Sequence, residues 1–372
     1  MPNHKETSTN ARMGYLLVLA SALLAYSTIN PNYNWDMIGY VASAYNYLGM
    51  EGQELHEKTY ADVQSATDET EFAKLTAQDD DYRRTLYSDP EALAQQVHYK
   101  TRLIYVSLTI LISFLVGTMS AATWIISAIA GAITLILLSQ LIIRERLTLF
   151  LLFPIILAAA GLRELARLST PDMLATMLAV IIVCVGLRTP RLAILLLPLI
   201  PAIRPDFIIL VPLFAWVLYS REHRTQTIIA VIAAALIYFT INSFFNNYGY
   251  LRTFNFAVIH NAHPYPANIQ LSPDLNDYIR PYMSGIRELF STWKIAIIPL
   301  GTALAIFGGK FQRKSLEGFT VAAAVFVVPH FLLFPVGHWR YYFIATALSL
   351  IIIFLSATRL YHSLTRTSPH ID

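Results

Sequence analysis

The chain has 372 residues, of which 55% are hydrophobic and 14% charged. A soluble domain carries roughly a quarter charged residues, and ten spans of ~20 residues would absorb an apolar content of this size. An ordinary soluble enzyme, a disordered chain and a collagenous chain are excluded. A disulfide-stapled module is excluded too, because Cys184 is the single cysteine and sits in an apolar run. The net charge is +3 with no Lys/Arg-rich tract, so no nucleic-acid partner is expected.

The first apolar run is Met13–Ile29, preceded by Lys5 and Arg12. Ala20-Ser21-Ala22 resembles a weak signal cleavage site. The run fills its whole length with apolar residues, however, and the rest of the chain is itself multi-spanning, so an uncleaved first span is expected. Residues 30–99 then hold 13 of the 24 acidic residues. Such a segment does not lie in hydrocarbon, and it reads as a long outer loop with short helices. Further apolar runs follow at Leu103–Gly117, Ala121–Ile143, Leu147–Gly161, Met173–Gly186, Leu192–Ala202, Phe207–Tyr219, Thr227–Phe244, Ile295–Phe307, Phe319–Phe334 and Tyr342–Ser356.

Charge decides which of these cross. If Leu103–Gly117 lies along the outer face, then Lys5/Arg12, Arg144/Arg146, Arg188/Arg191, Arg221/Arg224, Lys310/Arg313/Lys314 and Arg359/Arg366 all fall on one side. Short basic loops mark the cytoplasm. The expectation is an all-α polytopic membrane protein, one domain over residues 1–372, with about ten transmembrane helices and both termini cytoplasmic. Its outer loops are expected at about 30–120 and 245–293. In a bacterium this would be an inner-membrane protein.

Several residues stand out against this background. Asp36 follows the first span and precedes Tyr40 and a run of small and aromatic residues. A carboxylate there reads as a general base or as a helix N-cap. Lys100 and Arg102 stand where the chain returns to the surface, suited to a lipid phosphate or to anchoring. Asp172 follows Ser169-Thr170-Pro171 and opens a span, which is also good capping chemistry. Arg204-Pro205-Asp206 breaks an apolar stretch, so the charges line a cavity or form a paired turn. His338-Trp339-Arg340-Tyr341 opens the last run, and an arginine among aromatics suits a phosphate or a sugar ring. His260 and His263 have metal-ligand spacing without a defined third ligand, which leaves a divalent metal open. No Walker-type phosphate loop occurs.

The order of these features resembles the polyprenyl-phosphate-dependent membrane glycosyltransferases of the GT-C superfamily. The nearest likenesses are lipid A aminoarabinose transferases, protein O-mannosyltransferases and, more distantly, oligosaccharyltransferase catalytic subunits. The similarity is strongest over about residues 13–175. Lys100-Thr101-Arg102-Leu103-Ile104-Tyr105 followed by Gly117 is similar to the Lys-Pro-Pro-Leu-x-Tyr…Gly stretch of the aminoarabinose transferases, without its prolines. Arg167-Leu168-Ser169-Thr170-Pro171-Asp172 is similar to their Arg-Leu-Asp-x-Pro segment, with the acid after the proline instead of before it. Arg340-Tyr341 resembles their late Arg-Tyr pair.

This resemblance implies an inverting transfer of a sugar from a polyprenyl-phosphate donor to a lipid, glycan or protein acceptor at the outer face. It implies Asp36 as base, with Asp172 assisting as a second catalytic carboxylate or binding a metal. Lys100, Arg204 and Arg340 would hold the donor phosphate. Tyr40, His260, His263, His338 and Tyr341 would contact substrate. A transporter or flippase, and a polysaccharide polymerase using lipid-linked sugars, are the alternative expectations.

Overall fold

The structure is a computed structural model that describes residues 4–76, 80–260, 262–308 and 312–366. It is 80% helical, with no strand among the described residues. The chain opens with α1 (His4–Ile29). Five short helices follow: α2 (Asp36–Tyr47), α3 (Gly52–Ala66), α4 (Glu69–Thr76), α5 (Asp81–Ser88) and α6 (Pro90–Ala94). Next come α7 (Leu103–Val116), α8 (Met119–Gln140), α9 (Leu147–Leu157), α10 (Arg163–Leu165) and α11 (Asp172–Gly186). The second half holds α12 (Pro190–Leu196), α13 (Ile200–Ile203), α14 (Leu210–Leu218), α15 (Arg224–Phe244) and α16 (Tyr250–Phe254). It ends with α17 (Leu275–Ser291), α18 (Trp293–Phe307), α19 (Leu316–Leu333) and α20 (Phe343–Arg366).

Six helices are long and apolar enough to cross a membrane, or eight if two sharply bent pairs each count as one. This is the architecture of a multi-pass membrane protein. Three of the expected spans, Met173–Gly186, Leu192–Ala202 and Phe207–Tyr219, are shorter helices. α11 has 15 residues, or ~22 Å at 1.5 Å per residue, against a hydrocarbon core of ~30 Å. The next two are interrupted by prolines and 3₁₀ turns, at Leu197–Leu199 and Pro205–Ile209. The expected run Leu103–Gly117 is α7, and it folds back at 116° on the helical stretch Pro90–Tyr99.

The segment between α1 and α8 is built by local chemistry. Asp80 caps α5 through the Tyr82 and Arg83 amides, and Asp89 caps α6, which Pro90 opens. Gly117, at φ 92°, turns the chain from α7 into α8, and Thr118 caps α8. Asp62 is buried at the start of α8. There it accepts from the Met119 amide at 2.9 Å, the Ser120 amide at 2.9 Å, the Ser120 hydroxyl at 2.6 Å and the Tyr45 hydroxyl at 2.8 Å. A carboxylate at a helix N-terminus is also favoured by the helix dipole. The contact locks α3 and α2 onto the bundle.

α1 packs along α8, α8 along α11, and α18 along α20. Two ends of the bundle result. At one end Asn32 bridges Leu168, Lys294 meets Glu164 at 2.5 Å, and His330 meets Asp206 at 2.9 Å. At the other, Arg12 donates to the Ile143 and Glu145 carbonyls, and Arg313 donates to the Tyr219 carbonyl at 2.8 Å. Arg146 stacks on Tyr361 at that same end. At the first end, the segment after α15 clasps the segment before α7. Gln96 donates to the Pro264 carbonyl at 3.0 Å, Tyr248 to the Gln95 carbonyl at 3.1 Å, and Tyr265 to Asp89.

Candidate active site

Four stretches of sequence converge at the clasped end. Asp36 is the first residue of α2, Asp172 the first of α11, Arg204 the C-cap of α13, and Arg340 lies in the 3₁₀ turn before α20. Each carboxylate opens a helix, where negative charge suits the dipole. Each charge therefore sits at a chain break, as required where irregular backbone must carry polar groups inside an apolar bundle.

The charges alternate. Arg340 Nη1 lies 3.5 Å from Asp36 Oδ2, and Arg340 Nε lies 3.6 Å from Asp172 Oδ2. Arg204 pairs with Asp172 and places its Nε 2.9 Å and 3.0 Å from the two Asp206 oxygens. His330 Nε2 completes the row, 2.9 Å from Asp206 Oδ2. The Tyr341 ring lies between the two guanidiniums, 4.5 Å from Arg204 and 5.0 Å from Arg340, and its hydroxyl accepts from Arg340 at 3.1 Å. Buried charges of this kind persist only when paired and hydrogen-bonded.

The two predicted catalytic carboxylates differ in environment. The Asp36 side chain is 27% exposed and that of Asp172 is 4% exposed. Asp36 Oδ1 accepts from the Tyr99 hydroxyl at 2.8 Å, and Oδ2 accepts from the Asn34 amide at 2.9 Å. Asp172 accepts from Thr170 at 3.0 Å and is otherwise enclosed by the arginines. Asp36 is thus the more accessible of the two carboxylates, and Asp172 is enclosed against the arginines.

The other predicted residues fall in three groups. Tyr40 is buried beneath the cluster, edge-on to Tyr99 and Tyr105, and burial raises its pKa. His338 is exposed and belongs to the strap that leads to Arg340. Its Nδ1 lies 2.8 Å from Glu288, which also accepts from the Gly337 amide at 2.9 Å. Partial burial lowers the His338 pKa, against the opposing pull of Glu288. Lys100, His260 and His263 are not drawn into the charge row. The charge acting on Lys100 is Glu51. The His260 and His263 rings are 6.4 Å apart, and His263 Nδ1 accepts from the Tyr265 amide. Among the described residues, no group of three or more His, Cys, Asp and Glu is placed to hold a metal ion.

The cluster also contains Arg102 and Asp206, which the sequence singled out without assigning them a final role, and His330, which it did not mark. Arg102, two positions beyond Lys100, is the cation that feels Asp36, Asp206, Tyr40 and Tyr99. Asp206 and His330 form the end of the row. His330 is hidden from pattern reading by its place in the apolar helix α19, after Pro329. Four buried nitrogens of the row make no hydrogen bond: Arg102 Nε, His330 Nδ1, and Arg204 Nη1 and Arg340 Nε, which face Asp172 as ion-pair partners. In a native structure such atoms call for a partner.

The turn carrying Arg340 is fixed from behind. A π-helical turn over Ala158–Leu162 contains Gly161 at φ 128°, a conformation that only glycine adopts readily. A Cβ there would clash with the Trp339 ring. Lys294 Nζ covers the same ring at 3.7 Å while pairing with Glu164 at 2.5 Å. No family model, curated protein or solved structure matches this chain.

Proposed function

We propose that the protein is a glycosyltransferase of the GT-C type, moving a sugar from a polyprenyl-phosphate donor to an acceptor hydroxyl. The observation that carries this reading is the juxtaposition of one reachable carboxylate, Asp36, with Arg340 at 3.5 Å. Arg102 keeps a buried Nε that makes no hydrogen bond, and Arg340 Nε makes none beyond its 3.6 Å approach to Asp172. A base next to cations is what a displacement with an anionic leaving group needs.

In this mechanism the acceptor oxygen attacks the anomeric carbon while Asp36 takes its proton. The bond from the anomeric carbon to the phosphate oxygen breaks, and the electron pair leaves on the lipid phosphate. One displacement inverts the configuration. Arg340 and Arg102 stabilise the charge that grows on the phosphate, which is commonly the larger effect. Arg204 has both Asp172 and Asp206 as partners and holds the row together. The lipid tail lies between helices.

The same reading assigns ten crossings, by α1, α8, α9 with α10, α11, α12 with α13, α14, α15, α18, α19 and α20. The pairing of ends supports it, since Arg12, Ile143, Tyr219 and Arg313 gather at one end and Asn32, Leu168, Asp206 and His330 at the other. α7 returns to the side it started from, and the basic end is cytoplasmic. The segments 30–118 and 245–292 are then outer loops, and the site lies at the outer face.

Asp36→Asn in purified protein, assayed with a panel of radiolabelled polyprenyl-phosphate monosaccharides and membrane acceptors, tests the assignment. Transfer is expected to fall by about 10²–10⁴-fold, the usual worth of a positioned base. Undiminished transfer removes Asp36 from that role.

A further inference from the structure

α17 carries an unpartnered apolar stripe. Leu275, Ile279, Met283, Ile286 and Phe290 are all exposed, from 43% at Ile286 to 87% at Phe290. Their spacing of three and four residues puts them within an arc of about 80° on the helix. The helix ends at Ser291, and after one residue the chain enters α18, an apolar helix whose axis is turned by 79°. If α18 follows the bundle axis, α17 runs nearly at right angles to it, along the surface of the membrane.

The rest of the α17 circumference is differentiated. One flank is clamped to the protein. Tyr282 donates to the Leu332 carbonyl at 2.6 Å, and Glu288 holds the Gly337 amide and His338. Gly285 lies so close to the Pro335 carbonyl that a Cβ would not fit. The other flank carries Arg280 and Arg287, both exposed, with no carboxylate paired to either among the described residues. The order around the helix is therefore protein, apolar stripe, arginine. A helix lying at a lipid surface needs that order, with hydrocarbon below and cations at the depth of the phosphates. Trp293, 54% exposed at the bend, sits where an interfacial aromatic belongs.

We propose that α17 is an in-plane membrane helix, with its apolar stripe sunk into the acyl boundary and Arg280 and Arg287 at the phospholipid phosphates. The occupant of the stripe is lipid, because one residue separates it from the apolar helix α18, whose Trp293, Leu300 and Phe307 are also exposed, and cations edge the flank not clamped to the protein. Through Glu288 the helix also sets the height of the strap that carries Arg340. The proposal does not depend on the transferase reading, and its test needs no donor.

In a Cys184→Ala background, Met283→Cys and Ser284→Cys each take a fluorescent thiol label, and each protein is reconstituted into phosphatidylcholine liposomes. Both positions are exposed, so labelling does not disturb packing. The Met283 label is expected to lose most of its fluorescence to brominated acyl chains and little to aqueous iodide. The Ser284 label, on the far side of the helix, shows the reverse. Iodide quenching of the Met283 label overturns the proposal. Oxidative cross-linking of Met283→Cys into dimers, with protection from both quenchers, also overturns it and assigns the stripe to a second copy of the chain.

Discussion

The two ends of the bundle handle positive charge in opposite ways. At the end holding Asp36, arginines are sunk among carboxylates and aromatic rings, and the Arg204 side chain is only 8% exposed. At the other end, Arg191 and Glu222 pair at 2.6 Å while 66% and 68% exposed. Arg12 and Arg313 there spend their donors on backbone carbonyls. Arg191 is an exposed anchor that water already satisfies, and Arg12 and Arg313 are half-buried and held by the carbonyls. The buried ones at the Asp36 end cost desolvation, and a chain keeps such a cost where the charge has a task.

The contrast can be broken by substitution. Arg204→Ala leaves Asp172 buried without its principal partner and is expected to cost about 3–5 kcal/mol of stability. Chemical denaturation in detergent reads this, and a cost below about 1 kcal/mol would show that water reaches Asp172. Arg340→Ala is expected to preserve more of the fold, because Asp36 keeps Tyr99 and Asn34. Transfer should instead fall by about 10²–10³-fold, the worth of one donor to a developing oxyanion. Wild-type turnover with that variant would assign the phosphate to Arg102 alone. Arg191→Ala at the opposite end should change stability by about 1 kcal/mol or less, since exposed pairs contribute little. A larger loss would mean that the basic end is not the solvated anchor described.

Sidedness sharpens the same comparison without any assay of chemistry. With Cys184 replaced by Ala, single cysteines at Asn32 and His338 are expected to react with a membrane-impermeant thiol reagent from one side. A cysteine at Thr148 is expected to react only from the other. All three positions are exposed. Reaction of Asn32→Cys and His338→Cys from opposite sides would separate Asp36 from Arg340 across the bilayer and contradict their 3.5 Å approach.

Much of this could be read from residues alone, and the boundary is instructive. The apolar runs locate the helices, because hydrophobicity acts locally along the chain. Asp36, Asp172, Arg204 and Arg340 each stand out as a charge at the edge of an apolar run. Their meeting is not local, since it depends on how four helix ends pack. His330 escaped notice because one imidazole in α19 looks like a tolerated core residue until Asp206 is seen beside it. Arg102 was passed over for Lys100 because spacing does not say which of two neighbouring cations faces inward. Nor does hydrophobicity alone place the prolines' 3₁₀ turns, which break the helices around Leu197 and Pro205.

The pairing of Asp36 with Arg340 joins residues 304 positions apart. At ~5–20 residues per second of synthesis, the carboxylate emerges ~15–60 s before its guanidinium. During that interval its held geometry comes from Asn34 and Tyr99, two and 63 residues away. The partners of Asp36 that lie near it in sequence, Asn34 and Tyr99, thus leave the ribosome well before Arg340 does.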